Sequence, residues 1–482
     1  MIENRHSLPA HPRVWLAVQA VTLLLLISLL VPLVSGGKGL LFLLALLGGI
    51  GAVLVVRRPD WGVLIIQVIM FVELDFLFGV NYALSAILLI PFAWSILRDR
   101  GTWLLRVPQI QILLIIGFLF IVSTLWSEFK YPVTLNPDKD QTTKQAREFI
   151  THLGWLAFFL YFINTRQRIE LAAKLTVGLI AAAAISALLL FVTGGGGGGA
   201  GRAAANFSMA KNSNRLAFLC VFATSLIWFY RSYAQTRSWK ILTLPLLFVL
   251  PMTTLATGSR GGLLQMAALA ASIVKDQKGW SVAKRMYCIF AMGFVGLLMV
   301  ALVPAAYIER ATSFDPAADG AGQESLQNRA RVVVGALKMI ATDPIFGAGF
   351  GNYPWVARAY FNVSGATHNS YLWAFTSGGI GVFASYLLLF YVTYRMLKQL
   401  ERAGPRELVW LVKATKLNVL LFLICSISTD FWLSDFLYLI VGLTVAMNYL
   451  WQRQQQSSSD PVSVRSMEFN SIGQLAAAPP RG

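Results

Sequence analysis

Stretches of about twenty nearly uncharged apolar residues recur from one end of this chain to the other, each as long as a helix must be to cross a hydrocarbon layer of roughly 30 Å. A backbone in hydrocarbon must satisfy its own N–H and C=O groups, which leaves only helices or closed barrels, and runs this long and uninterrupted select helices. The candidate spans fall at residues 14–34, 39–56, 61–78, 82–97, 109–126, 149–163, 171–192, 214–230, 241–257, 261–274, 286–306, 371–394, 411–428 and 431–450. These are fourteen, with twelve as the alternative, because the third, fourth, sixth and tenth are short enough to be tilted, buried or re-entrant. With 56% hydrophobic and 13% charged residues, a soluble domain around a single core is excluded. The expected fold class is all-α, a polytopic transmembrane helical bundle of 12–14 spans with a large loop containing short helices. Residues 1–306 form its first membrane region, 307–367 the large loop, 368–453 the last membrane helices, and 454–482 a polar, disordered cytoplasmic tail.

Charge orients the bundle. With an even number of spans and both termini cytoplasmic, the connections holding Arg57 and Arg58, Arg98 to Arg106, Arg166 and Arg168, Arg231 and Arg237, Lys275 to Arg285, and Arg395 to Lys416 all lie inside. The first apolar run begins after Arg13 and is long enough to span, so it reads as the first transmembrane helix and not as a cleaved signal. The net charge of +18 is dispersed over short loops. It signals topology and contact with membrane lipids, and no nucleic-acid partner is expected.

Cys220, Cys288 and Cys425 each fall in a predicted span, an odd set without a disulfide framework or zinc spacing. His6, His11, His152 and His368 are scattered, with no HExxH pattern, so no metal and no cofactor are expected.

Three external segments are longer than turns. Residues 127–148 carry two prolines and mixed charge, and residues 193–214 open on six glycines, Gly194 to Gly199, that read as a flexible tether. The third, 307–367, is the largest hydrophilic piece; within it residues 327–340 have the spacing of an amphipathic helix lying along the membrane surface, ended by Asp343-Pro344.

The chemistry-bearing residues gather at this external side. His368 is the histidine read there, at the start of the span that follows the large loop, with Thr367 as its N-cap; a neutral imidazole in that place can take a proton, or simply pack. Thr257-Gly258-Ser259-Arg260-Gly261-Gly262 joins glycines, a helix start and an arginine fork, a combination suited to phosphate; the alternative is an interfacial arginine snorkelling to headgroups. Arg215 begins a span after the glycine tract, and Arg329 and Arg331 sit in the large loop, where residues two apart do not share a helix face, so Arg329 alone is expected to point at the site. Glu73 and Asp75 lie within a span, as paired or interfacial carboxylates. Asp430 and Asp435 flank the last external turn, placed to cap a helix, orient His368 or bind a sugar hydroxyl.

TGSRGG in a membrane segment, a long loop with NRAR and DPIFGAGFGNY, and THNSYL followed by GGIG resemble, in this order, the O-antigen ligase and polymerase superfamily of bacterial envelope glycan biosynthesis. The resemblance covers the second half of the chain in motifs and all of it in architecture. It implies an inverting, metal-independent glycosyltransferase of the inner membrane, working at the periplasmic face on undecaprenyl-diphosphate-linked glycan. It further implies that His368 activates the acceptor hydroxyl, while Arg260 and Arg329 or Arg331, together with Arg215, hold the donor diphosphate. The glycine tract and the paired arginines depart from the usual pattern. Among family activities a ligase with a lipid A core acceptor is favoured over a polymerase acting on a second lipid-linked repeat. A lipid-linked glycan transporter would instead place charges along a path through the bilayer.

Overall fold

The computed structural model describes residues 51–72, 78–99, 103–131, 139–193, 203–204, 212–233, 240–241, 243–276, 281, 283, 286, 321–363, 365–431 and 433–459. Among these, every regular element is a helix: α1 Pro59–Val72, α2 Phe78–Asp99, α3 Pro108–Lys130, α4 Lys139–Phe162, α5 Arg166–Val192, α6 Ser213–Tyr233, α7 Leu246–Ala256, α8 Arg260–Asp276, α9 Ala321–Thr342, α10 Tyr353–Phe361, α11 Ser370–Ala403, α12 Val409–Cys425 and α13 Asp435–Ser459. Residues Pro108–Lys130, Arg166–Val192, Ser213–Tyr233, Ser370–Ala403 and Arg406–Cys425 are long and apolar enough to cross a membrane. The chain is an all-α, multi-pass helical bundle. The spans expected before residue 51 and at 286–306, with Cys288, lie outside the described residues, as do Glu73, Asp75 and Gly194 to Gly199.

Helix α6 is the centre. It has no charged residue between Arg215 and Arg231 and is apolar around its whole circumference, so it is buried on nearly every side, against α5, α7, α8 and α12. Phe218 anchors this packing: its ring lies 5.6 Å from Phe422, 4.9 Å from Phe431 and 5.8 Å from Phe436. Between spans, Ser225 Oγ donates to Asn418 Oδ1 at 2.7 Å and Gln67 Nε2 to Thr176 Oγ1 at 2.7 Å, contacts worth about 1 kcal/mol each in a bilayer.

The basic connections meet in ion pairs. Arg58 and Arg168 converge on Asp60, Arg166 reaches Glu407 at 3.2 Å, Lys413 reaches Asp276 at 2.8 Å, and Lys416 pairs with Glu401. Each of these residues belongs to a connection, or a helix end beside one, assigned to the same side by the charge rule.

Helices α4, α9 and α13 are among those that run further than their apolar cores. Helix α4 begins at Lys139, ten residues before the span expected at 149, and its 24 residues make it a full-length helix and not a short re-entrant piece. Helix α13 continues to Ser459, so the boundary expected at residue 454 falls inside it; 460–482 lie outside the described residues. Helix α9 covers Ala321–Thr342 where 327–340 was expected. In all three cases hydropathy marks the lipid-facing part of a helix, while backbone hydrogen bonding carries the helix on into polar sequence.

The loop 343–352 has no counterpart in periodicity. It folds down beside α3 as far as Ser123, about 10 Å from that helix's end at Lys130 by the rise of an α-helix. Backbone that leaves the helix at this depth must find partners, and α3 supplies hydroxyls. Ser123 Oγ lies 2.5 Å from the Phe346 carbonyl and 2.9 Å from that of Ser377, Ser127 Oγ donates to the Ala348 carbonyl, and Thr124 Oγ1 accepts from Phe350 N at 3.2 Å. The loop also fills a break in α11 at Gly378 and Gly379. There Ala348 N donates to Thr376 O at 2.7 Å and Ile380 N to Pro344 O at 2.9 Å, restoring bonds that the break removes. Gly379 has φ +65°, and a Cβ there would overlap the Ile345 carbonyl; a Cβ at Gly347, φ +67°, would stand 2.5 Å from Thr376 O. Only glycine fits either place. Asp343 closes the loop, accepting from Trp126 Nε1 at 2.7 Å and pairing with Lys130 at 3.0 Å.

Candidate functional site

The site is built where three helix ends meet one turn, residues 426–434, between α12 and α13. From α11, Asn369 caps the helix: its side chain accepts from the backbone N–H of Tyr371 and Leu372. Thr367, expected as this cap, instead places its hydroxyl 3.0 Å from Asn369 O and 3.3 Å from Asp430 Oδ1. The cap therefore falls one residue after His368, which is left outside the helix in the left-handed region at φ 49°. That conformation is uncommon for a residue with a Cβ, and such residues concentrate at functional sites.

His368 Nδ1 lies 3.3 Å from Asp430 Oδ2, with the imidazole side chain 47% exposed and the carboxylate 21%. With Nδ1 engaged by a carboxylate, Nε2 is the nitrogen left to accept a proton, and the half-open imidazole is reachable from outside.

Arg215, in the first turn of α6, meets the same turn from the other side. Its Nη2 lies 3.4 Å from the Asp430 carbonyl oxygen and its guanidinium 5.5 Å from the centre of the Phe431 ring. Arg260 opens α8 immediately beside it. Ser259 Oγ accepts from Gly262 N at 3.2 Å as the helix cap, and Gly261 packs so tightly on the turn that an added Cβ would stand 2.5 Å from Ser428 Oγ. Ala203, beyond the glycine tract, is buried and donates its N–H to Ala256 O at 3.1 Å, so the end of that segment is pinned beside the Thr257–Arg260 corner.

The two loop arginines part as helical spacing predicts. Helix α9 buries Val332, Gly335, Ala336 and Met339; Arg329 is half-buried, three residues before Val332, while Arg331 is exposed. This buried face leads to His368: a Cβ at Gly365 would meet Val332 at 3.5 Å, and one at Gly335 would meet Val363 at 3.0 Å. Tyr353 fastens α10 beneath α9 by donating to the Val332 carbonyl at 3.0 Å, and burial pushes its phenol up to about 12, which keeps it a donor. Thus one turn residue, Asp430, meets His368 through its carboxylate and Arg215 through its carbonyl, Arg260 opens the helix that packs on the same turn, and α9, which carries Arg329, packs its Val332 near Gly365, three residues before His368.

Two features escaped sequence reading. His152 pairs with Asp435 and stacks on Tyr438, ring centres 5.0 Å apart, at the first turn of α13. It therefore belongs to the same end of the bundle as His368 and not to a scattered set. The expected span 149–163, entered from the external segment 127–148, already placed His152 near this end; its pairing with Asp435 on another helix is what the sequence did not show. Ser370 is the other: it lies within THNSYL, but its partners Ser426, Thr429 and Phe431 are more than fifty residues away. Among the described residues no three of His, Cys, Asp and Glu gather as a metal would require.

In comparisons with known proteins, residues 245–387 match the family described as O-antigen ligase. The match contains Arg260, Arg329, Arg331, the docked loop and His368, and leaves Arg215 and Asp430 outside it. No curated protein matches the chain by sequence. Over those residues, less than a third of the chain, this all-helical membrane protein is similar to the O-antigen ligase family.

Proposed function

We propose that this protein is an O-antigen ligase that transfers a glycan from undecaprenyl diphosphate to the lipid A core oligosaccharide at the periplasmic face of the inner membrane. The family is one of glycosyltransferase-like membrane enzymes, and lipid-linked glycan and lipid acceptors are its substrates in general. The observation that carries the finer reading is the contact of His368 Nδ1 with Asp430 on a turn that also receives Arg215.

In this reaction the acceptor hydroxyl oxygen attacks the anomeric carbon from the side opposite the diphosphate. The new C–O bond forms as the bond to the diphosphate oxygen breaks, the leaving group keeps the electron pair, and the anomeric configuration inverts. His368 Nε2 takes the hydroxyl proton, a role worth roughly 10² to 10⁴ in rate. Undecaprenyl diphosphate is already a good leaving group and needs charge balance more than a general acid. Arg260 and Arg329, with Arg215, are assigned that balance, with the start of α8 adding backbone N–H groups. Arg331, being exposed, is assigned no direct contact with the donor.

The test is reconstitution of the purified protein with lipid-linked glycan and lipid A core. Transfer by the unmodified protein, lost in His368→Ala and Arg260→Ala, supports the assignment. Transfer that persists in His368→Ala removes the base, and product formed only when a second lipid-linked repeat is the acceptor makes the protein a polymerase.

A further inference from the structure

Ser370 bonds the turn on either side of Asp430 without touching its carboxylate. Its hydroxyl donates to the carbonyl of Thr429 at 2.6 Å and accepts the N–H of Phe431 at 2.8 Å, and its own N–H donates to Ser426 O at 2.8 Å. The side chain is wholly buried. A hydroxyl is the smallest group that donates and accepts at one atom. At this position it bridges the two peptide groups that flank residue 430 and joins the turn to the first residue of α11. Two further contacts complete the frame: Thr367 at Asp430 Oδ1 and Arg215 at the Asp430 carbonyl. What remains of the carboxylate, Oδ2, faces His368.

We propose that Ser370 is a positioning residue that acts through Asp430, holding the carboxylate so that His368 keeps its proton on Nδ1 and presents a bare Nε2. The role of Nε2 as the base rests on the function proposed above; the positioning of the imidazole does not.

A free histidine populates both neutral tautomers, and an Nδ1–H donor fixed to a carboxylate selects one. The carboxylate can select only if it stays in register, and register here is set by backbone bonds to Ser370. With a methyl group in place of the hydroxyl, the Thr429 carbonyl and Phe431 N–H lose their shared partner and the turn carrying Asp430 loosens. No donor-binding arginine is itself removed, so the main loss belongs in turnover, with a smaller change in donor affinity through Arg215, which rests on the same turn.

The experiment uses the full-length protein in nanodiscs, with histidine labelled by nitrogen-15 and the His368 signals assigned by difference from His368→Gln. Unmodified protein is expected to show an Nδ1-protonated ring. Ser370→Ala and Asp430→Asn are both expected to give a tautomer mixture, and Ser370→Thr to return the single form. In the transfer assay Ser370→Ala should lower kcat by about 10- to 100-fold, the range for losing a group behind a reacting side chain, with a smaller change in donor KM. Thr367→Val, which leaves the Ser370 bonds intact, should cause a smaller loss in the same direction.

Ring signals in Ser370→Ala equal to those of the unmodified protein would overturn the proposal. So would a mixture already present in the unmodified protein, or an activity loss no greater than the loss of folded material in a melting measurement. If Ser370→Ala does not fold, the ring signals of Thr367→Val and Ser370→Thr decide instead, with an unshifted Thr367→Val ring counting against the proposal. Transfer that survives in His368→Ala would remove the base assignment, while the ring signals still judge Ser370.

Discussion

The docked loop at 343–352 and the turn at 426–434 lie at the same end of the bundle and are both held by backbone bonds, but they differ in the side chains they present. The loop is fastened by its backbone: hydroxyls of α3 and the broken end of α11 take up its carbonyl and N–H groups, and two close approaches there admit only glycine. The turn is also tied by backbone bonds, through Ser370, yet it presents the Asp430 carboxylate to the half-exposed His368. Inside a bilayer an irregular segment endures only when its peptide groups are satisfied, so the loop is specialised for order. Ionised side chains need access to water and substrate, so the turn is specialised for contact. Damage to the loop should therefore appear as lost protein, and damage to the turn as lost turnover.

The largest separation is expected at His368. His368→Ala should cut transfer by about 10² to 10⁴ while melting in detergent is unchanged, because the side chain is half-exposed and packs little. A matching fall in melting temperature would erase the contrast. Next comes Gly379→Ala. An added Cβ meets the Ile345 carbonyl and the backbone is left-handed there, so destabilisation of about 3 kcal/mol or more is expected, read as reduced yield and an earlier thermal transition. If that protein melted normally yet failed to transfer glycan, the loop would count as part of the chemistry.

Ser123→Ala should cost about 1–3 kcal/mol by leaving the Phe346 and Ser377 carbonyls short of a donor, with kcat per folded molecule retained. The smallest effect sharpens the arginine assignment. Arg331→Ala should alter donor KM less than about twofold, whereas Arg329→Ala should raise it about tenfold or more, a charge-assisted contact being worth roughly 1.5–3 kcal/mol. Equal effects would mean that both sides of α9 face the donor.

Much of this was legible in the residues. Apolar length marked the membrane helices, and spacing separated Arg329 from Arg331 because helical geometry is local. The TGSRGG, NRAR and THNSYL motifs marked Arg260, the loop arginines and His368. The starts of α4 and α9 and the end of α13 were missed where polar sequence stays helical, since hydropathy reports the solvent and not the hydrogen bonding. The cap at Asn369 was misplaced by two residues because Thr367 and Asn369 are both competent caps, and the choice depends on Asp430, which lies 63 residues from Thr367.

By itself, then, the sequence determined that this is a multi-pass helical membrane protein, which side chains can carry charge or a proton, and where glycine is placed. Tertiary structure alone decided that Asp430 faces His368, that Arg215 joins them from α6, that His152 pairs with Asp435, and that Ser370 locks the turn. The physical reason is range: helix formation and partition into lipid depend on neighbours within a few turns, whereas a site of this kind is assembled from helix ends that meet only when the bundle closes.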